Sequence, residues 1–268
     1  MTADKPMKIV SWNVNSIRAR LPHVLDYLRL ESPDVLLLQE TKTVNETFPQ
    51  EAIEDMGYSC CIFGQKSYNG VAILAKGNIE DPVYGLPGFD DPQARYLEAY
   101  IDGRIKVASI YVPNGEEVGA EKYAYKLRFL EALNAHVDTL LLDDTPWAMG
   151  GDFNIAPGDA DVYDAKLWHD GRILCSPPER GAFRQLLHKG LTDGLRHCHP
   201  VNTEAGHDLF TWWNYRTRGW ENGQGLRIDH FLLSPQAADI LTDAGVHTTP
   251  RSWVRPSDHA PIWVDVRR

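Results

Sequence analysis

The most restrictive stretch of this sequence is Asp34-Val-Leu-Leu-Leu-Gln-Glu40. Its continuous apolar run has no polar face, which is the signature of a strand buried on both sides, so the sheet that holds it must be covered above and below. The run ends on polar groups, Gln39 and Glu40. Residues 8–14, Lys-Ile-Val-Ser-Trp-Asn-Val, read as a second strand rich in β-branched and aromatic side chains. Between the two, Leu21, Val24, Leu25 and Leu28 recur at helical spacing, with Pro22 suited to a first turn. Two hairpins are expected, 58–64 with 70–76 around Asn69-Gly70, and 95–101 with 105–112 around Asp102-Gly103. A long helix is expected over 120–142, with Tyr123, Leu127, Leu130, Leu133 and Val137 on one face. A brief strand at 147–149 opens onto Gly150-Gly-Asp-Phe-Asn154. A helix near 179–188 and β segments at 209–213, 227–234 and 262–266 complete the reading. Strands and hairpins alternating with a few helices predict an α/β sandwich and not a doubly wound parallel sheet. No linker or composition break divides the chain, so a short disordered tail, 1–7, is expected before one domain, 8–268.

Several function classes are excluded or left open by the totals. No stretch approaches the roughly 18 apolar residues of a membrane span, and the start of the chain does not read as a signal peptide. Cys60, Cys61, Cys175 and Cys198 form no CxxC pair, so neither a zinc site nor a disulfide framework is indicated and a reducing cytoplasm fits. The net charge of −10 argues against nucleic acid as a partner when taken over the whole surface. Arginines nevertheless cluster at Arg18 and Arg20, at Arg216, Arg218 and Arg227, and at Arg251 and Arg255, so one basic face is compatible with that total.

The chemistry lies at the strand ends. Asn13, Glu40, Tyr111, Asp152 with Asn154, and Asp258-His259 all fall where an apolar segment stops or just before one starts. Any one of these is most simply a solvated strand end; five together ask for a common purpose. Hydrolysis of a phosphodiester builds negative charge on non-bridging and leaving oxygens, which a hard divalent cation on oxygen ligands neutralises. Glu40 and Asn13 offer such ligands, and Asp229 with His259 can form a carboxylate–imidazole pair. In an extended chain Asp152 and Asn154 leave the same face and meet a single phosphate, while Tyr111 adds a phenol donor.

Six motifs in fixed order then identify a resemblance. Ser11-Trp-Asn-Val-Asn15, Leu38-Gln-Glu-Thr-Lys42, Tyr111-Val-Pro-Asn114, Gly150-Gly-Asp-Phe-Asn154, Gly225-Leu-Arg-Ile-Asp229 and Ser257-Asp-His-Ala-Pro261 resemble the exonuclease III branch of the endonuclease/exonuclease/phosphatase superfamily. The resemblance implies a four-layer α/β sandwich, two packed β-sheets flanked by helices. It implies a monomeric, magnesium-dependent enzyme of base-excision repair, also accepting manganese, that acts on double-stranded DNA at abasic sites or 3′ ends. Glu40 and Asn13 would bind the metal with Asp258 nearby, and Asp152, Asn154 and His259 extend the candidate ligand set. Asp229 would orient His259, and Tyr111 would contact the phosphate. Either Asp152 or the His259–Asp229 pair would activate water, and residue chemistry favours Asp152 as the proton acceptor. Trp212, Leu226 and Ile228 would line a small apolar pocket for a sugar without a base, with Trp213 turned away into the core. Lys42, Asn114, Arg216 and Arg227 complete the expected DNA-contacting set.

Two features depart from the pattern. Position 15 is Asn where some relatives carry Asp, and the loop 158–178 matches poorly. Relatives acting on inositol or lipid phosphates share the Gly-Asp-x-Asn and Ser-Asp-His motifs, but the Tyr111-Val-Pro-Asn114 ending favours the DNA-repair branch. A non-catalytic DNA-binding protein on the same fold would be expected to have lost ligands, and none is missing.

Overall fold

The computed structural model describes residues 5–206 and 209–268. Two six-stranded sheets make up most of it. The first contains β1 (Met7–Asn13), β2 (Val35–Gln39), β3 (Ser59–Phe63), β4 (Val71–Ala75), β13 (Leu241–Val246) and β14 (Ile262–Val266), in the order β13-β14-β1-β2-β4-β3. The second contains β5 (Ile79–Tyr84), β6 (Tyr96–Ile101), β7 (Ile105–Tyr111), β8 (Trp147–Asp152), β9 (Thr192–Asp193) and β12 (Asp229–Leu233), in the order β5-β6-β7-β8-β12-β9. A small ribbon pairs β10 (Trp212–Trp213) with β11 (Gly225–Leu226). The helices are α1 (Ile17–Glu31), α2 (Gln50–Glu54), α3 (Glu121–Leu140), α4 (Pro177–His188), α5 (Gly194–Cys198) and α6 (Pro235–Asp239).

The alternation of side chains along each strand builds the layers. Ile9, Val35 and Leu37 from one sheet and Leu97, Val107 and Phe231 from the other share one core between the sheets. Their neighbours Val10, Trp12, Leu36 and Leu38 face the other way, onto Val24, Tyr27 and Leu28 of α1. On the far side, Ala108, Ile110, Met149 and Leu232 pack on Phe129, Leu130 and Leu133 of α3 and on Phe183 and Leu186 of α4. The continuous apolar run of β2 is thus explained, because its two faces fill two different cores. The result is the expected four-layer sandwich.

Each sheet holds one parallel pair, β1–β2 joined by α1 and β7–β8 joined by α3. In both, the second strand of the pair ends at the same edge of the sandwich, with Glu40 following β2 and Asp152 closing β8. At Gly151 an added Cβ would lie 1.9 Å from the Ile110 carbonyl oxygen, so only glycine lets β8 approach β7 this closely.

The sequence reading misses β5, β9 and β13 and misplaces some bounds. β5 and β13 are edge strands whose Pro82, Gly245 and exposed acids disguise them, and both carry register shifts. The segment expected at 227–234 shortens to β12, and β11 lies just before it, because the Arg227 amide between them leaves the ladder to bond the Asp161 carbonyl at 2.8 Å. The strand expected at 209–213 shrinks to Trp212–Trp213. Of the expected tail, residues 1–4 lie outside the described residues, and Met7 already belongs to β1.

The apolar face of α3 also hides a charge. Lys126 is fully buried, and its Nζ donates to Glu179 of α4 and to the carbonyls of Asn154 (2.6 Å) and Asn114 (3.1 Å). Glu179 in turn accepts the amides of Leu174 (3.0 Å) and Ser176 (3.1 Å), which fixes the start of α4. Lys126→Met leaves that carboxylate buried and unpaired, so it should cost about 3–5 kcal/mol in urea denaturation. Lys126→Met/Glu179→Gln removes both charges and should recover much of the loss; a double variant as unstable as the single would mean the cost arises from packing.

Candidate active site

The site forms where the two sheets open at one edge. Tyr111, Asp152 and Asp229 lie in one row across β7, β8 and β12, since Asp152 is in register with both of the others. Opposite them, Asn13 ends β1 and Glu40 follows β2. Thr211 receives the amides of Ile228 and Asp229 on its Oγ1, each at 3.1 Å, which holds the start of β12 in place.

Glu40 and Lys42 reach the site through an unusual backbone. Both have left-handed φ values, 50° and 53°, a conformation costing on the order of 1–3 kcal/mol for such residues. Neighbours hold it: the Ser16 amide bonds the Glu40 carbonyl at 2.7 Å, and the Lys42 amide bonds the Asn69 carbonyl at 2.9 Å. Gly70 permits this turn, because a Cβ there would lie 2.1 Å from Thr41 Oγ1. Asn15 and Asn154 share the left-handed region (46° and 50°), which asparagine adopts more readily. Asn154 therefore enters the site by a turn and not, as expected, by continuing an extended strand. Its amide donates to Asp152 Oδ1 at 2.9 Å, and its side chain joins Asn114 (2.9 Å) and the Val112 carbonyl (3.0 Å).

One amide bridges the two sheets. Asn13 Nδ2 donates to Glu40 Oε1 at 2.9 Å and to Asp152 Oδ2 at 3.0 Å, while Asn13 Oδ1 accepts the Asn15 amide at 3.0 Å. The expected oxygen ligand thus presents its nitrogen to the carboxylates, because its oxygen is already engaged. His259 sits between two acids, with Nδ1 2.8 Å from Asp229 Oδ2 and Nε2 3.6 Å from Asp152 Oδ2. Its loop is fixed from β1: Ser257 Oγ donates to the Asn13 carbonyl (2.7 Å) and Trp12 Nε1 to the His259 carbonyl (3.1 Å).

The electrostatics follow from burial and proximity. Burial, with repulsion from Asp229 and Glu40, lifts Asp152 to about 7 against the pull of His259. Burial opposes charge on His259, but Asp229 and then Asp152 outweigh it and raise the imidazole to about 10. Burial, reinforced by Glu40 and Asp152, holds the Tyr111 phenol well above its usual range, so it remains a neutral donor.

Single donor atoms of Glu40, Asp152 and His259 lie within 4.8 Å of one another. The two carboxylates suit a hard cation. His259 fits poorly as a ligand, since an imidazolium has no free lone pair. Asp258 stands outside this group, its oxygens taken by Trp212 Nε1 (3.0 Å) and Asn15 Nδ2 (2.9 Å).

A cavity of about 280 Å³ lies at these groups, lined by Glu40, Tyr111, Asp152, His259, Trp212 and Ile228 among others. Trp212 is half-buried there, and Trp213 turns into a separate core, as the strand alternation requires. Leu226 is fully buried behind Ile228. Arg227 contradicts its expected contact with DNA: it is buried and paired with Asp161 (2.7 Å) and Asp193 (2.8 Å). Both acids lie far away in sequence, so no local pattern could reveal them. Arg251 is buried as well, whereas Arg216 and Asn114 are exposed and Lys42 pairs with Glu40 at 2.8 Å. The reading missed Arg95, whose guanidinium lies 4.8 Å over the Tyr111 ring and which lines an adjoining cavity of about 440 Å³ with Tyr68, Gln93 and Tyr125.

Comparison with known proteins extends this picture. The profile of the Endonuclease/Exonuclease/phosphatase family matches residues 10–259. Exodeoxyribonuclease III of Haemophilus influenzae is 35% identical, covering 97% of this chain and all of that protein. Among solved structures, the 3′ phosphatase NExo from Neisseria, bound to product DNA hairpin, is 42% identical with a TM-score of 0.92 over 97% of this chain and 99% of its own. An AP endonuclease from Archaeoglobus fulgidus is 35% identical with a TM-score of 0.90, covering 98% of this chain and all of that one.

The raised pKa of Asp152 has a cost in stability. Because folding lifts it from 3.8 to about 7, the folded state binds the extra proton, and ionised Asp152 destabilises the metal-free protein above that pH. In EDTA, Asp152→Asn should melt higher than the parent at roughly pH 8, and this advantage should fade as the pH falls toward about 4. A lower melting temperature at pH 8 would show that attraction to His259 dominates instead.

Proposed function

Because this chain belongs to the endonuclease/exonuclease/phosphatase family, we propose that it is a metal-dependent DNA-repair nuclease of the exodeoxyribonuclease III type. The observation that carries this reading is the grouping of Asp229, His259, Asp152, Asn13 and Glu40 in one buried cluster at the mouth of the cavity. The relatives' names supply the substrate class: an exodeoxyribonuclease, a 3′ phosphatase and an AP endonuclease all work on DNA. The substrate is then double-stranded DNA with abasic sites or 3′ ends. All four cysteines are unpaired, which suits a reducing cytoplasm.

Glu40 and Asp152 would hold the cation, magnesium by the hardness of their oxygens, with manganese accepted at the same positions. When bound, it supplies positive charge against the charge that develops on the phosphate oxygens. Asp152, whose Oδ2 faces His259 Nε2 at 3.6 Å, would be the carboxylate that takes a proton from water. His259 stays protonated between its two acids and offers Nε2–H to a phosphate oxygen, with Asp229 fixing the ring through Nδ1. Tyr111, kept neutral, would donate a hydrogen bond from its phenol to the same phosphate. Trp212 and Ile228 give the cavity an apolar wall that accepts a flipped sugar lacking its base.

The direct test offers the purified protein three labelled duplexes, carrying an abasic analogue, a recessed 3′-OH and a 3′-phosphate, with and without magnesium. Metal-dependent cleavage of at least one is expected; no cleavage of any would end the nuclease reading. His259→Asn and Asp229→Asn should each lower the rate by about 10²–10⁴-fold. Groups that act as one unit are not additive, so the double variant should be little worse than the weaker single. Fully multiplicative losses would show that the two side chains act separately.

A further inference from the structure

We infer that Asn15 links the apolar wall of the cavity to the cation site, so that the position of Trp212 sets how strongly Glu40 binds metal; this rests on the nuclease reading above. Four side-chain contacts join the two ends. Trp212 Nε1 donates to Asp258 Oδ2 at 3.0 Å, and Asn15 Nδ2 donates to Asp258 Oδ1 at 2.9 Å. Lys42 Nζ donates to Asn15 Oδ1 and lies 2.8 Å from Glu40 Oε2.

The order of donors and acceptors makes this a directed chain. An indole can only donate and an ammonium can only donate, so the two groups between them must accept from both ends. Asp258 accepts twice. Asn15 must donate on one side and accept on the other, which an amide does and a carboxylate cannot. A carboxylate at position 15 would meet Asp258 as a like charge. The backbone of Asn15 is fixed as well, with its amide on Asn13 Oδ1 at 3.0 Å and its carbonyl receiving Arg20. Asn15 therefore touches two of the groups that contact the Glu40 carboxylate, namely Asn13 and Lys42.

The direction of the effect follows from competition for one carboxylate. The Lys42 ammonium and a cation both draw on the negative charge of Glu40. The Asn15 carbonyl takes a share of that ammonium, and it can do so only while Asp258 holds the amide turned. Trp212 in turn holds Asp258. A sugar that shifts Trp212 thus alters metal affinity, and by linkage a bound metal favours one placement of Trp212.

The test measures metal binding without DNA or turnover, by titrating Mn²⁺ and following the paramagnetic resonance of the free ion, with Mg²⁺ as competitor. Trp212→Phe keeps an aromatic ring and deletes the N–H, while Asn15→Ala cuts the chain at its middle. Asn15→Asp adds a carboxylate but removes the donor. Trp212→Phe and Asn15→Ala should each weaken Mn²⁺ binding by about 10-fold, in the range typical of groups that orient metal ligands. The double variant should be no weaker than Asn15→Ala, and Trp212→Phe should have no further effect in the Asn15→Asp background. Circular dichroism melts confirm that each variant is folded, and Asn15→Ala still tests the chain if Trp212→Phe is not. Wild-type affinity in either folded single variant, or additive losses in the double, would overturn the inference while leaving the nuclease reading intact. No Mn²⁺ binding by the parent protein would overturn both.

Discussion

Repulsion among buried carboxylates is the constraint around which this molecule is organised. Asp152 and Asp229 are almost wholly buried and share one imidazole, and Glu40 faces Asp152 across a single amide. Charges in such a place cost several kcal/mol each unless compensated. The fold supplies compensation from three directions: His259 between the two aspartates, Asn13 between the two sheets, and Lys42 beside Glu40. None cancels the excess completely, and burial above all, with the repulsion that is left, keeps the pKa of Asp152 so high. The unspent negative charge is what a cation or a proton can answer, so the same strain that weakens the fold equips it for chemistry.

Behind the site, the polar interior is satisfied with more care. Lys126 and Glu179 tie α3 to α4 and at the same time hold the carbonyls of Asn114 and Asn154. Arg227, paired with Asp161 and Asp193, anchors the segment that carries Ile228 and Asp229. Arg227 with burial also keeps His230 neutral, at about 4, though burial is the larger cause. Unlike the carboxylates of the site, these groups find opposite charges within hydrogen-bond reach. They make the scaffold stiff where the site needs fixed positions.

How much of this was legible in the sequence depends on the range of the interaction. The unbroken apolar run before Gln39 demanded two covered faces, and the structure fills them with two separate cores. Polar residues at strand ends marked Asn13, Glu40, Tyr111 and Asp152 correctly as neighbours, since those strands share one edge. The failures are non-local. Arg227 read as a surface cation because its partners, Asp161 and Asp193, come from distant loops. Lys126 lay just off the apolar stripe of α3, and nothing nearby announced Glu179. Asn13 was identified as a residue of the site, but which end of its amide faces the acids depends on a bond to the Asn15 backbone. Edge strands β5 and β13 were missed because an edge needs no apolar pattern.

The pairing of the last strand with the first has a consequence for synthesis. β14 lies beside β1 from Met7–Val266 to Ser11–Ile262, and the loop leading into it delivers His259. The hydrogen bond that seats this loop, Ser257 to the Asn13 carbonyl, joins residues 244 apart. On the ribosome, Glu40, Tyr111 and Asp152 emerge early, yet they remain without their imidazole until translation has passed Val266 and the closing strand has docked. A half-made copy therefore holds these acids without the imidazole that lies between Asp152 and Asp229 in the finished chain. The long-range closure thus makes the imidazole the last member of the cluster to arrive, supplied only when the loop before β14 has been made and seated against β1.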